Sequence, residues 1–124
     1  MPYSILIVDD ERDANEALKM FLEMRDFNVR LSFSGQEGIA AVRQAVPDLV
    51  LLDLQMPGID GWETLKQMLQ IAPGVRVVIL TGSLPDRDLE QLALQEGAIG
   101  VITKPVEVND LIPRIKGFLQ ERSR

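Results

Sequence analysis

The chain has 124 residues, 46% of them apolar, with 13 basic and 19 acidic side chains and a formal charge of −6. A chain of this length can bury about two-thirds of its unfolded surface without staples, its apolar content argues against disorder, and its charge opposes free binding to a nucleic-acid backbone. It has no Cys and no His, which excludes disulfides, thiolate nucleophiles, Cys-based zinc or iron–sulfur sites, Ser–His triads and a phosphohistidine on this chain. Any chemistry must therefore use carboxylates, hydroxyls and ammonium groups.

In chain order, Met1-Pro2-Tyr3-Ser4 lacks a charged signal region and no apolar run approaches a membrane span, so the expected location is the cytoplasm, with no membrane partner. Ile5-Leu6-Ile7-Val8 is a continuous apolar run, ended by Asp9-Asp10-Glu11. Helical spacing follows at Ala14, Ala17, Leu18, Phe21 and Leu22. Phe27, Val29 and Leu31 alternate with polar residues, as in an edge strand. Ser34 is placed to cap a second helix carrying Ile39, Val42 and Val46. The run Leu49-Val50-Leu51-Leu52 ends in Asp53, and Asp60 caps a third helix with Leu65, Met68, Leu69 and Ala72. Val77-Val78-Ile79-Leu80 ends in Thr81. Ser83, with Pro85 and Asp86 in the first turn, opens a fourth helix bearing Leu89, Leu92 and Ala93. A weaker run from Ile99 to Ile102 leads into Thr103-Lys104-Pro105. The last stripe is Leu111, Ile112, Ile115, Phe118 and Leu119; with Asp110 as cap, Pro113 becomes the third helical residue, whose missing N–H costs nothing.

Three of these runs are continuous, as expected of strands covered on both faces. The alternation of strand and helix predicts five βα units in one domain over 1–124, an α/β fold with a doubly wound parallel sheet and five helices. In such sheets function gathers at the carboxyl ends of the strands. Asp9, Asp10, Asp53, Thr81 and Lys104 would share that rim. Taken singly, each has a plainer explanation: helix cap, turn residue, strand-end hydroxyl or surface lysine. Together they make a chemical unit. Three clustered carboxylates raise one another's pKa unless cations neutralise them; Lys104 supplies part of that charge, and a hard divalent ion such as Mg²⁺, which accepts phosphate oxygens as well, can supply the rest. An Asp can then attack phosphorus to form an acyl phosphate.

Asp9-Asp10-Glu11, the segment Asp53-Leu54-Gln55-Met56-Pro57-Gly58-Ile59-Asp60-Gly61, Thr81-Gly82 and Lys104-Pro105 resemble, in order and at strand ends, the response-regulator receiver domains of two-component signalling. The resemblance covers the whole chain. It implies a flavodoxin-like sheet of order 2-1-3-4-5, with Asp53 as phosphoacceptor. Asp10 and Asp53 would ligate Mg²⁺ directly, Asp9 through water, and the Gln55 carbonyl would complete the set. Lys104 and Thr81 would each hold a phosphoryl oxygen, and Gln55 and Ser83 would flank the phosphoryl group and tune access of water. A cis Lys104–Pro105 peptide is also implied. The partners implied are a sensor histidine kinase or phosphotransfer protein and a downstream protein bound by the helix 4/strand 5/helix 5 face. Leu94, opposite its helix's apolar stripe, is a candidate for that face, while Trp62 is compatible with either a buried or an exposed setting. One position departs from the family pattern: Val101 stands where Tyr or Phe is usual, so a ring swinging inward toward the threonine is absent. Two other functions remain open on sequence. One is an interaction module that is never phosphorylated, against which the intact acids argue. The other is a Mg²⁺-dependent phosphohydrolase, against which the lack of an acid at Gln55 argues.

Overall fold

The computed structural model describes residues 2–56, 60–82, 87–104 and 107–120. The elements run β1 (Ser4–Val8), α1 (Arg12–Glu23), β2 (Asn28–Ser32), α2 (Gly35–Gln44), β3 (Leu49–Asp53), α3 (Gly61–Ile71), β4 (Val77–Thr81), α4 (Arg87–Gln95), β5 (Gly100–Thr103) and α5 (Val108–Gln120). All strand pairs are parallel, in the order β2-β1-β3-β4-β5. This is the doubly wound α/β sheet expected from the strand–helix alternation, and β2 is an edge strand as its alternating pattern predicts.

Side chains alternate across the sheet and make two apolar layers. On one face Ile5, Ile7, Leu49, Leu51, Val78, Leu80 and Ile102 pack with Leu22 of α1 and Leu111, Ile115 and Leu119 of α5. On the other, Leu6, Val8, Val50, Leu52, Val77 and Ile79 meet Ile39 and Val42 of α2, Leu65 and Met68 of α3, and Ala93 of α4. Burying each such side chain is worth about 1.5–3 kcal/mol, which is why the runs in β1, β3 and β4 carry no polar residue before their carboxyl ends. Trp62 resolves toward partial burial, packed against the second layer. Gly97 lies just past α4 with φ +104°, and a Cβ there would stand 2.5 Å from Leu69 Cδ1; only glycine suits both conditions.

The caps expected at Ser34 and Asp60 form. Ser34 Oγ accepts the Glu37 N–H at 3.1 Å, and the Glu37 carboxylate accepts the Phe33 N–H at 3.0 Å. Asp60 Oδ1 accepts the Trp62 N–H at 2.8 Å. Ser83, Pro85 and Asp86, expected to open α4, lie outside the described residues.

Four details differ from expectation. Ala14 and Ala17 are exposed, and α1 is anchored through Leu18, Phe21 and Leu22; alanine is at home on either face of a helix, so its spacing is a weak guide. Val46 is exposed and lies beyond the end of α2. Among the described side chains of α4 only Ala93 is buried, while Leu92 is exposed. Finally, α5 starts at Val108, not after Asp110, because the Glu107 carbonyl accepts the N–H groups of both Asp110 and Leu111. Pro113 is thus the sixth helical residue, and it is tolerated because it and Asn109, whose carbonyl loses its helical partner, both face water.

Candidate functional site

The strand register assembles the rim. Val8 pairs with Leu52, so the residues that follow, Asp9 and Asp53, are neighbours at the carboxyl ends of adjoining strands. Asp53 pairs with Leu80, one residue before Thr81, and Thr81 pairs with Thr103, one residue before Lys104. Sequence separations of 51 and 95 positions therefore close to hydrogen-bond range. Carboxylate oxygens of Asp9, Asp10 and Asp53 all lie within 4.8 Å of one another. Lys104 Nζ stands 2.5 Å from Asp9 Oδ2, 3.2 Å from Glu11 Oε1 and 3.3 Å from Asp53 Oδ2.

Asp9 and Asp53 are held alike. In each, Oδ1 accepts the backbone N–H two residues on, Glu11 at 3.1 Å and Gln55 at 2.9 Å, while Oδ2 turns to Lys104. The turn-residue explanation accounts for Oδ1 of each side chain and leaves Oδ2 facing the ammonium. Asp9 and Asp53 are only 2% and 3% exposed, whereas Asp10 is exposed. Thr81 is also buried, and its carbonyl accepts the Lys104 N–H at 2.7 Å, which ties the ends of β4 and β5.

Burial pushes the Asp53 pKa above the usual carboxylate value, although the Gln55 N–H and the Lys104 charge oppose it; the nearby Asp9 charge adds to the rise. Burial alone would lower the pKa of Lys104. Its hydrogen bond to Asp9, the charges of Asp53 and Asp9, and a hydrogen bond to Glu11 outweigh that, and the net movement is upward. The ammonium is therefore fully charged across the physiological range.

Three carboxylates offer hard oxygen donors, and the exposure of Asp10 leaves one side of the cluster open to water. That set suits a divalent cation of the Mg²⁺ kind, which keeps several waters and takes few protein carboxylates. A hollow of about 810 Å³ between α1 and α5 opens at Asp9, Glu11, Asp53 and Lys104 and continues over Leu18 and Phe21. A second hollow of about 820 Å³, beside Tyr3, Arg25 and Lys116, holds none of the clustered acids.

Of the expected site residues, Asp9, Asp10, Asp53, Thr81 and Lys104 meet on this rim. Gln55 is there through its backbone, and its side-chain Oε1 would be 3.3 Å from a Cβ on Gly82, so its amide lies across the β3 and β4 ends. Ser83 and the Lys104–Pro105 peptide lie outside the described residues, as do Pro57, Gly58 and Ile59. Two participants escape sequence reasoning. Glu11 contacts Lys104 across 93 positions. Asn15, buried on α1, donates through Nδ2 to the Glu11 carbonyl at 2.7 Å and so pins the turn that presents Asp9 and Asp10. Asn15 stands three and seven residues before Leu18 and Leu22, and a polar residue at that spacing on the apolar stripe of α1 is the signal that could have drawn attention to it.

A family model of the response regulator receiver domain matches residues 5–116. An uncharacterised transcriptional regulatory protein, YkoG of Bacillus subtilis, is 34% identical over 119 residues, covering 94% of this chain and 51% of its own. The DNA-binding response regulator MtrA of Mycolicibacterium paratuberculosis is 35% identical over 120 residues, covering 97% of this chain and 52% of its own. The chain thus spans about half the length of the curated relatives it matches. Among solved structures, a CheY-like response regulator receiver domain protein from Methanospirillum hungatei superposes with a TM-score of 0.87 at 30% identity, over 96% of this chain and 94% of the other.

Proposed function

Since this chain belongs to the response regulator receiver-domain family, we propose that it is a phosphorylation-controlled switch of a two-component or phosphorelay system, a single receiver domain over 1–124 whose phosphoacceptor is Asp53. The observation that carries the reading is the position of Lys104 Nζ, 3.3 Å from Asp53 Oδ2, in a cluster whose acid oxygens lie within 4.8 Å of one another. A carboxylate oxygen of Asp53 attacks phosphorus. The new O–P bond forms as the P–N bond of a donor phosphohistidine breaks, and the departing imidazole nitrogen takes a proton from water. The donor is a histidine kinase or phosphotransfer protein, because this chain has no His of its own.

Asp10 and Asp53 would hold Mg²⁺ directly, Asp9 would act through water, and the Gln55 carbonyl would complete the protein's share. When bound, the ion supplies positive charge against the transferring phosphoryl group. Lys104 pairs with one phosphoryl oxygen and the Thr81 hydroxyl donates to another. Gln55 limits the approach of water to the acyl phosphate, a role the family resemblance also gives to Ser83.

The receiver family is one of signalling phosphoacceptors, so turnover of a diffusible substrate is not part of this reading. Phosphorylation adds about −1.5 to −2 charges to the rim, and the output is read by a protein on the face of α4, β5 and α5. Leu94, 58% exposed, is the candidate contact on that face. Val101, partly buried against the second layer, carries no ring, so the signal leaves through Thr81 and the β4 end without an aromatic swing. We assign no nucleic-acid contact to these residues, given their charge of −6. No described helix is long and apolar enough to cross a membrane, and a cytoplasmic setting is part of the proposal.

Incubation with acetyl phosphate and Mg²⁺, followed by intact-mass measurement, tests the reading. The expected result is one added phosphoryl group, absent in Asp53→Asn. An unmodified parent would favour an interaction module, and steady hydrolysis of added phosphate esters would favour a phosphohydrolase.

A further inference from the structure

An ammonium group has three N–H donors, and Lys104 has three carboxylate oxygens within 3.3 Å, from Asp9, Glu11 and Asp53. Its donor capacity is full before any phosphoryl group arrives. On the phosphoacceptor reading above, on which this inference rests, a phosphoryl oxygen can reach Lys104 only by displacing one of the three. Asp9 and Asp53 are buried, and each is fixed in rotation by a backbone N–H on its other oxygen. Glu11 differs: its side chain is 63% exposed, so its carboxylate exchanges Lys104 for water at small cost.

The main chain at Glu11 cannot follow. Its N–H is bonded to Asp9 Oδ1, and its carbonyl accepts both the Asn15 backbone N–H at 3.1 Å and Asn15 Nδ2 at 2.7 Å. Release is therefore a side-chain rotation alone.

We infer that Glu11 is a positioning residue that occupies the third N–H of Lys104 in the resting site and is displaced by the phosphoryl oxygen, so that it sets the affinity of the rim for a phosphoryl group. The competition acts through contact and not through overall charge. Two substitutions separate these. Glu11→Gln removes the charge, whereas Glu11→Asp keeps it and draws the carboxylate back by about one C–C bond, beyond ion-pair range of Lys104.

The experiment is calorimetric titration of parent, Glu11→Gln and Glu11→Asp with beryllofluoride, a phosphoryl mimic, in Mg²⁺. Both variants should bind roughly two- to five-fold more tightly than the parent, the equivalent of one exposed ion pair. Tightening in Glu11→Gln alone would mean simple repulsion of an incoming anion and would overturn the inference, as would unchanged affinity in both. A parent that binds no beryllofluoride and takes no phosphoryl group from acetyl phosphate would sink the phosphoacceptor reading itself, and this inference with it.

Discussion

Replacing Lys104 by Met keeps the length of the side chain and removes the cation from between two buried carboxylates. Breaking a buried ion pair by deleting one partner costs about 3–5 kcal/mol. Lys104 is 24% exposed, so water screens part of the loss, and about 2–3 kcal/mol is the expected destabilisation of the metal-free protein at pH 7. For a chain of this size that corresponds to a fall in Tm of roughly 8–12 °C. The distances then divide the loss. Coulomb attraction falls inversely with separation, so Asp53 at 3.3 Å supplies roughly two-fifths of what the two buried acids contribute, and Asp9 at 2.5 Å the remainder. In a Lys104→Met background, Asp53→Asn should therefore restore about 1 kcal/mol more than it does in the parent. Urea denaturation of the four proteins in EDTA measures this coupling. If Lys104→Met were as stable as the parent, or if Asp53→Asn shifted both backgrounds equally, the ammonium would not be neutralising these acids and the electrostatic account of the rim would fail.

Three further outcomes can be checked. Because the Asp53 pKa is raised in the fold, its ionisation opposes folding: stability is greatest below the ordinary carboxylate pKa and falls as pH rises through the folded value. Asp53→Asn in EDTA should accordingly be more stable than the parent at pH 7 and lose that advantage toward pH 3; an equal advantage at both pH values would contradict the assigned cause. Mg²⁺ should stabilise the parent by mass action, by about 2.7 kcal/mol at a hundred times its Kd, and Asp10→Asn should abolish most of that gain with little effect in EDTA, since Asp10 is exposed; thermal melts with and without the ion read both. Gln55→Ala should shorten the lifetime of the aspartyl phosphate several-fold by opening the approach over Gly82, and an unchanged decay rate by intact mass would remove that role from the side chain.

How much of this was written in the sequence depended on whether the cause was local. β1, β3 and β4 are legible because strands covered on both faces admit no polar residue, and a carboxylate or hydroxyl straight after such a run can only stand at the rim. The alternation of Phe27, Val29 and Leu31 announced an edge for the same reason, inverted. Ser34 and Asp60 act within three residues, and their caps could be read directly. Leu92 and Val46 could not, since an apolar side chain near a helix end carries no sign of which way the next loop turns. The start of α5 was set by a carbonyl at Glu107, a backbone property no side chain reveals. Glu11 stands where any helix-start acid would, and its bond to Lys104 depends on where the completed sheet places the ends of β1 and β5, with β3 and β4 between them.

The matched geometry of Asp9 and Asp53 has a mechanical consequence. Each spends one oxygen on an amide of its own turn, so neither carboxylate can swivel after a change of charge without tearing its backbone anchor. The acids are thus a fixed frame, and what can be redirected is the donor set around them: the long flexible stem of Lys104 and the hydroxyl rotor of Thr81. News of an event at Asp53 would travel outward along β4 and β5, which bear those two groups, leaving β1 and β3 as the stationary half of the molecule.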